Sequence, residues 1–329
     1  MILVVIVNYH SQPLVCACLD QLKGLRRQDL AYFVVDNSER PDIDSIRSRH
    51  PDARLHRPGV NLGFAGGCNL GLRYAVETKC DYALLLNPDV AIGDDFIAPL
   101  VEALEGEPAA GMAGPLIFED AAARRLWQGI GRIAWCLGGP VHRGRKPPQE
   151  RRPMEVPFLS GCAMMVRVEA LERTGLMDES YFLYFEDTDF CLRLIRCGWK
   201  VLLVPRSHLL HAQSSTIGRN SPLQVYCLSR NRIRLVRRWA GGLSATIFLI
   251  FNLTVKVPLM SVVFGIGQRR PRLMAAYLKG LVDGWRVVAV KRPSAGNEAG
   301  GGGFCERHLL TNRVKVGKSH ESFRRRCDP

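Results

Sequence analysis

The main candidates for catalytic or ligand-binding residues in this sequence are acids that follow apolar runs. Asp36 and Asp89 each follow an apolar run of four or five residues, and Glu186-Asp187 follows residues 181–185, four of which are aromatic. Parallel strands place their carboxyl ends at one edge of a sheet, where open α/β sheets bind their ligands. We therefore expect these acids to face a ligand.

Asp36 and Asp89 each have two interpretations. Asp36 could accept hydrogen bonds from a pyrimidine base or a ribose, but Asp-Asn-Ser is also good turn chemistry, and taken alone it favours the turn. In Asn87-Pro88-Asp89 the proline ends the strand. Asp89 is then held where a divalent cation bridging two phosphates could sit, since Mg²⁺ and Mn²⁺ prefer carboxylate, water and phosphate oxygens. This tripeptide alone is also a common turn.

The acids after the aromatic stretch indicate a general base. Apolar surroundings raise the pKa of a carboxyl group, as a general base requires, so that Glu186 or Asp187 could remove a proton from an acceptor hydroxyl. Acids also favour the N-terminus of a helix, and this cluster opens a predicted helix over residues 188–197. Both interpretations can hold at once.

Two further features could bind a ligand. His208 and His211 follow a predicted strand over residues 201–204, and chemistry alone does not choose between them. Residues 61–69 are Gly-rich and open a predicted helix, so they could bring backbone amides near a diphosphate. They match neither a P-loop nor a dinucleotide-binding motif.

The elements that must position these residues alternate between strands and helices. The sequence predicts strands over residues 2–7, 32–35, 82–86, 158–166 and 201–204, and helices over residues 13–25, 43–49, 69–77, 95–104 and 188–197. This alternation predicts an α/β fold, with a mostly parallel sheet flanked by helices. Residues 138–153, rich in Gly, Pro and Arg, predict a flexible loop.

The character of the chain changes after residue 218. Residues 219–292 contain 14 Lys and Arg and one acid, which is almost the whole net charge of +14. A basic helix is predicted over residues 224–238, and residues 243–266 are apolar. Lys256 and Pro258 near the middle favour an interfacial helix or a broken helical hairpin over a membrane span, and a core helix is the remaining alternative.

These patterns predict three parts. They are a catalytic α/β domain over residues 1–218, a basic and apolar helical region that associates with a membrane over residues 219–292, and a disordered, partly Gly-rich tail over residues 293–329. An anionic membrane surface is the expected partner of the basic region. Nucleic acid is the competing partner, and it is not expected because zinc-finger spacing and RNA-binding aromatic signatures are missing.

The cysteines and the first residues bear on the compartment. The 11 cysteines are odd in number and form no CxxC pair, so free thiols in a reducing compartment are expected. Residues 2–7 begin as a strand, without a basic segment or a cleavage site of a signal peptide. We therefore expect the catalytic part to be cytoplasmic.

The ordered motifs over residues 1–240 resemble the family 2 glycosyltransferases of the GT-A fold, especially the rhamnosyltransferase-like branch. The matching segments are Val5-Ile6-Val7-Asn8-Tyr9, Val35-Asp36-Asn37-Ser38, Asn61-Leu62-Gly63-Phe64-Ala65-Gly66-Gly67, Leu86-Asn87-Pro88-Asp89, Ser160-Gly161, Asp178 with residues 181–193, and Val204-Pro205 leading to His211. Each segment is a weak signal, whereas the ordered set is specific.

The resemblance implies roles for the candidates. Contacts to the donor would come from Asn8, Asp36, Asn61, Gly63, Gly66, Asn87 and Arg230. Asn87-Pro88-Asp89 resembles the family's Asp-x-Asp metal motif with Asn in the first place, which leaves Asp89 as a ligand of Mg²⁺ or Mn²⁺. His211 matches a position that helps to hold the metal, although Ser214 stands where the family usually has Gly.

The chemistry implied by the resemblance is a single inverting displacement. Asp187 matches the family's general base, with Glu186 beside it, and would deprotonate the acceptor hydroxyl. The donor would be a nucleotide-diphosphate sugar, dTDP-rhamnose by family likeness, with UDP- and GDP-sugars as alternatives. The acceptor would be lipid-linked or a polysaccharide of the cell envelope, used by an enzyme held peripherally at the inner face of the membrane.

Two other functions compete with this one. A nucleotidyltransferase would have a Gly-rich, basic loop after the first strand, whereas Asn8-Tyr9-His10-Ser11 follows here. A non-catalytic membrane scaffold would have lost the metal or the base carboxylate. Asp89 and Asp187 are both present, although Asn87 replaces one acid of the motif.

Overall fold

The computed structural model describes residues 1–39, 43–119, 125–142, 147–211, 221–267 and 270–286. The tail predicted over residues 293–329, and Ser214, lie outside these described residues. The nine cysteines among the described residues are free, as expected, and seven of them are buried.

The elements follow in an alternating order. The strands are β1 (Ile2–Asn8), β2 (Leu30–Asp36), β3 (Arg54–His56), β4 (Tyr82–Leu86), β5 (Val90–Ala91), β6 (Ala110–Phe118), β7 (Leu126–Gln128), β8 (Gly131–Ala134), β9 (Gly139–His142), β10 (Met154–Glu155), β11 (Ala163–Arg167) and β12 (Lys200–His211). The α-helices are α1 (Gln12–Gly24), α2 (Ile43–Arg49), α3 (Gly63–Glu77), α4 (Ile97–Gly106), α5 (Val168–Thr174), α6 (Glu186–Arg196), α7 (Pro222–Trp239), α8 (Gly242–Phe251), α9 (Val257–Ser261) and α10 (Pro271–Arg286).

The central sheet is mostly parallel, as predicted. Its strand order is β10-β12-β6-β11-β4-β1-β2-β3. The strands β3, β2, β1 and β4 run parallel, β11 runs antiparallel to both β4 and β6, and β12 is again parallel to β6. The register sets Asn8 opposite Asp36, so the polar ends of β1 and β2 lie side by side.

Both faces of the sheet are covered. Along β1, Ile2, Val4 and Ile6 belong to one buried cluster, and Leu3 and Val5 belong to a second. Successive side chains of a strand point to opposite faces. The continuous apolar run of β1 is therefore explained by burial on both sides, which is typical of central parallel strands.

Several parts of the sheet region differ from the sequence-based prediction, including the strand predicted over residues 158–166, which begins only at Ala163 in β11. The strand β6 was not predicted, because Gly111, Gly114 and Pro115 resemble a loop, yet all nine of its residues are buried. The strand predicted to end before Pro205 continues to His211, and its register shifts between Val204 and His208. A proline is tolerated at such a bulge because no ladder hydrogen bond is lost there.

A further difference concerns the predicted loop over residues 138–153. Its first part is β9, which pairs with β8 as a two-stranded antiparallel ribbon in which Ile133 lies opposite Pro140. Gly138 ends the turn between the two strands, whereas Gly139 and Pro140 belong to β9 itself.

The C-terminal region is helical, as predicted. The apolar stretch forms one helical segment over residues 242–264, in which π-helical turns at Asn252–Lys256 and Val262–Gly267 flank α9. Only 17% of the apolar part of this segment is buried, so the segment is not a core helix. Lys256 and Pro258 do not break the segment, since a π-turn accommodates a proline in a helix.

Candidate active site

The ends of β1 and β2 form the first part of the site. Asn8 and Asp36 are both buried, and Asn8 Nδ2 donates a hydrogen bond of 3.0 Å to Asp36 Oδ1. The backbone N–H of Ser38 donates to the same oxygen over 3.1 Å. Asp36 Oδ2 is buried and has no hydrogen-bond partner in the described part of the chain. A buried carboxylate oxygen in this state is available to a ligand that donates a hydrogen bond.

The start of α3 packs against this pair. Asn37 Nδ2 donates to Gly63 O over 2.8 Å, and Asn61 Oδ1 accepts from the Gly63 N–H, also over 2.8 Å. A side chain at Gly63 would collide with Phe182, and one at Gly66 would come within 2.7 Å of Leu62 Cβ. The glycines therefore have a packing role, and their predicted contact with a diphosphate stays a prediction.

Asp89 and His211 meet, as the predicted metal pair requires. Both are largely buried, and His211 Nε2 lies 3.2 Å from Asp89 Oδ1. The contact lacks hydrogen-bond geometry, and Asp89 Oδ1 and His211 Nδ1 have no hydrogen-bond partner among the described residues. Trp127 stacks on the imidazole with ring centroids 4.8 Å apart. His208, the equal candidate by sequence, is exposed. His211 is therefore the better candidate of the two, and its role as a metal ligand stays a prediction.

A turn over residues 160–162 joins this pair to the predicted base. The Asn87 N–H donates to Cys162 O over 2.8 Å, and the Gly161 N–H donates to Asp187 Oδ2 over 3.0 Å. The C-terminal end of β4 and the N-terminal end of α6 are thereby both attached to residues 160–162. Asp89 and the pair Glu186-Asp187 are thus brought to one edge of the sheet.

The two acids at the start of α6 differ in environment. Asp187 is partly exposed, and its other oxygen accepts from the Thr188 N–H over 2.6 Å and from the Thr188 hydroxyl over 3.2 Å. Glu186 is buried, and its Oε2 has no hydrogen-bond partner among the described residues. Burial raises the pKa of Asp187, and burial together with the charge of Asp187 raises the pKa of Glu186 well above its usual range.

The comparison with protein families decides the classification. The family described as "Glycosyl transferase family 2" matches residues 3–175, more than half of the 329 residues. The chain belongs to glycosyl transferase family 2. As the motifs predicted, it is a glycosyltransferase that is similar to rhamnosyltransferases, since several similar proteins carry that name.

Two relatives and one solved structure illustrate the likeness. The chain is 29% identical over 240 residues to the N-acetylglucosaminyl-diphospho-decaprenol L-rhamnosyltransferase of Mycobacterium tuberculosis, covering 66% of this chain and 78% of the relative. It is 26% identical over 242 residues to the dTDP-rhamnosyl transferase RfbF of Shigella flexneri, covering 71% and 79%. The mannosyltransferase PcManGT from Pyrobaculum calidifontis, solved with GDP-Man and Mn²⁺, superimposes with a TM-score of 0.52 at 15% identity over 87% of each chain. That likeness shows the fold, which is GT-A.

In this glycosyltransferase, Arg230 lies away from solvent. Its side chain is buried, and its Nη2 donates to Tyr181 O over 2.7 Å and to Ser180 O over 3.2 Å. Arg230 therefore holds the backbone of residues 180 and 181. Its contact with the nucleotide-sugar donor stays a prediction, and the geometry does not favour it.

Sequence reasoning did not predict that residues of α7 hold the segment before Glu186 and Asp187. Asn231 is fully buried and donates to three backbone carbonyl groups of residues 181–184. Asp189 is also fully buried, and it accepts from Arg193 Nε over 2.9 Å and from Trp239 Nε1 over 2.8 Å. The family resemblance places Asn231 in a basic motif, Arg230-Asn231-Arg232, expected near phosphate, and this signal did not indicate its buried partners.

Proposed function

We propose that this glycosyltransferase moves a hexose, with rhamnose as the first candidate, from a nucleoside-diphosphate sugar to a lipid-linked or polysaccharide acceptor, with inversion. The supporting observation is the turn over residues 160–162, which holds the end of β4 and the Asp187 carboxylate together. A metal pair and a base joined in this way can act on the two ends of one displacement, the departing diphosphate and the attacking hydroxyl.

Asp36 and Asn8 would bind the nucleoside. Asp36 Oδ2 is buried and unpartnered, while its Oδ1 is fixed by Asn8 Nδ2 and the Ser38 N–H. The imide N–H of a uracil or thymine ring, or a ribose hydroxyl, is a donor of the kind this oxygen lacks. Asn8 would orient the carboxylate, and Asn61 and Asn87 would shape the same edge.

Asp89 and His211 fit a divalent cation. Two neighbouring ligands in the octahedral shell of Mg²⁺ or Mn²⁺ lie about 3 Å apart, and the two side-chain atoms here are 3.2 Å apart. Within the described residues no third His, Cys, Asp or Glu joins them. Such a site suits a metal that takes most of its ligands from water and from donor phosphates. A bound cation would neutralise the charge of the departing diphosphate.

Asp187 would act as the base. The Gly161 and Thr188 N–H groups fix its two oxygens, and partial exposure lets an acceptor hydroxyl reach it. Burial and the neighbouring charge of Asp187 raise the pKa of Glu186 well above its usual value. In its neutral form Glu186 would not add a second negative charge beside Asp187.

The names of two relatives motivate the choice of substrates. The Mycobacterium tuberculosis relative is named for a diphospho-decaprenol-linked N-acetylglucosamine acceptor, and the Shigella flexneri relative for a dTDP-rhamnose donor. A lipid-linked acceptor would be met at a membrane surface.

The exposed face of α8 and α9 supports the membrane location. Leu243, Ile250 and Leu253 are 77%, 56% and 61% exposed. The opposite side carries Phe248, which is buried beside Gly138, and Phe264, which is also buried. One side packs on protein while the other is apolar and open, an arrangement suited to an interfacial helix. The surrounding basic residues would add attraction to the anionic cytoplasmic leaflet.

Transfer is tested with the purified full chain. Sugars linked to dTDP, UDP and GDP would be combined with a polyprenyl-diphospho-N-acetylglucosamine, with Mn²⁺, with Mg²⁺ or with EDTA. We expect one donor to yield a glycosylated lipid of inverted anomeric configuration only when a cation is present. Transfer that is equally fast in EDTA would contradict the metal role, and a retained configuration would contradict the single displacement.

The membrane location is tested by flotation with anionic vesicles. A triple variant with Leu243, Ile250 and Leu253 changed to Gln should float less than wild type, because the apolar face is lost. Thr246 and Thr254, exposed on the same helical segment, changed to Gln provide the matched control and should float like wild type. Equal flotation of the apolar-face variant would contradict the proposed surface.

A further inference from the structure

The segment before the catalytic acids adopts an unfavourable backbone conformation. Phe182, Tyr184 and Phe185 have φ angles of 64°, 69° and 70°. Positive φ is costly for residues with a bulky side chain, and such residues persist only where the surrounding structure holds them. Phe185 directly precedes Glu186 and Asp187, so whatever holds this segment also aims the first turn of α6.

One side chain of α7 satisfies most of the carbonyl groups of this segment. Asn231 Nδ2 donates to the carbonyl oxygens of Tyr181, Leu183 and Tyr184 over 2.9, 2.8 and 2.9 Å. Its Oδ1 accepts from Arg230 Nε over 2.8 Å. Asn231 is fully buried, so water does not compete for these bonds.

Arginines on either side of Asn231 extend the same attachment. Arg230 donates to the carbonyls of Ser180 and Tyr181, and Arg234 Nη1 donates to Ser180 O over 2.6 Å. Opposite α7, the Phe64 N–H of α3 donates to Phe182 O over 2.7 Å. The segment is therefore held from α7 on one side and from α3 on the other.

The last helix fixes α7 at this very point. A Cβ atom at Gly280 would lie 2.6 Å from Tyr226 O, and one at Gly284 would lie 2.8 Å from Arg230 O. Only glycine lets the two helix backbones approach this closely. The contact spans the turn of α7 that carries Asn231, so the close packing at these two glycines places the backbone of α10 beside that turn.

We infer that Asn231 is a positioning residue for the general base, and that the C-terminal helices support the active site in addition to any membrane contact. The inference rests on the proposed function, because it assigns Asn231 a task in that reaction. Asn231 does not touch the reacting atoms. It holds residues 181–184 in the conformation from which Glu186 and Asp187 begin α6.

The test compares Asn231→Asp with Arg237→Ala. Aspartate keeps the size of the side chain and its acceptor for Arg230, but it removes both N–H donors. Arg237 lies on the same helix and donates to the carbonyls of Gly284 and Trp285, which belong to α10. It therefore serves as the matched control for loss of a hydrogen bond made by α7.

We expect Asn231→Asp to lower kcat by about 10- to 100-fold with the donor KM within about threefold, because small displacements of a catalytic group cost this much. Hydrogen exchange at the amides of residues 180–187 should become faster in Asn231→Asp and stay unchanged in Arg237→Ala. The Arg237→Ala variant should keep its kcat.

Several outcomes would overturn the inference. A thermal shift with a nucleoside diphosphate and Mn²⁺ would first show that the Asn231→Asp variant is folded. If this folded variant then matches wild type in kcat and in hydrogen exchange at residues 180–187, the inference is wrong. Another such outcome is equal loss of kcat in Arg237→Ala. If Asn231→Asp does not fold, Arg234→Ala, which removes a more exposed part of the same attachment, must show the local exchange increase. If wild type transfers no sugar, the proposed function fails, while the exchange comparison still decides whether Asn231 holds the segment.

Discussion

The proposed donor side and the proposed base side of this site are held in different ways. On the donor side, Asn8 and Asp36 stand at the ends of adjacent parallel strands and bond to each other directly. On the base side, Glu186 and Asp187 follow a strained segment that depends on Asn231, more than 40 residues further along the chain. The first arrangement is part of the sheet, whereas the second is imposed by a separate helix.

This difference predicts different sensitivity to change. A strand end is fixed by ladder hydrogen bonds and by burial on two faces, so substitutions there should alter binding more than geometry. The base depends on remote contacts, so changes outside the site should reach it. Four predictions sharpen the comparison, in order of decreasing expected effect.

The largest effect is expected for Asp187→Asn. The amide keeps the shape but cannot accept the proton, so kcat should fall by on the order of 10²–10⁴ with donor affinity almost unchanged. Steady-state kinetics with the donor and a lipid acceptor measure both parameters. If Glu186→Gln is inactive while Asp187→Asn is active, the base is Glu186.

Asp89→Ala should lower kcat by on the order of 10²–10³, because the metal stabilises several kcal/mol of developing charge. His211→Ala should need more Mn²⁺ for half-maximal rate, since one ligand of the pair remains. His208→Ala, exposed on the same strand, is the control and should behave like wild type. Equal metal titrations for all three variants would contradict the assignment.

Asp36→Asn is expected to raise the donor KM by about tenfold with little change in kcat. The substitution keeps an oxygen for Asn8 but places an N–H group where the unpartnered Oδ2 lies, and a lost hydrogen bond to a charged group costs about 1.5–3 kcal/mol. Calorimetry with the nucleoside diphosphate gives the affinity directly. A fall in kcat without a change in donor KM would indicate that Asp36 acts in catalysis and not in donor binding.

The smallest effect is one on stability, in Glu186→Gln. The pKa of Glu186 is raised in the folded protein, so the folded state binds more protons than the unfolded state above the ordinary Glu pKa. The stability present at low pH should then be lost as pH rises towards the folded pKa, by up to about 1.4 kcal/mol per pH unit. Urea unfolding from pH 5 to 8 should show wild type losing stability relative to Glu186→Gln. A constant difference would contradict the raised pKa.

The parallel part of the fold could be predicted from local patterns. The strands β1 and β4 and the helix α2 coincide with their predicted ranges to within a residue, because buried apolar runs and helical spacing are local signals. The strand β6 could not, since its glycines are required by close packing. A Cβ atom at Gly111 would lie 2.9 Å from Trp199, which is distant in the sequence.

The sequence by itself determined which acids stand at the strand ends, the family, and the basic apolar character of the C-terminal third. Carboxylates after apolar strands, ordered motifs and net charge are properties of the chain that need no tertiary contact. Only the tertiary structure decided that His211 and not His208 meets Asp89, and that Arg230 is buried. It also decided that Asn231 holds the segment before Asp187. These contacts join residues that are far apart along the chain, and no local sequence pattern indicates them.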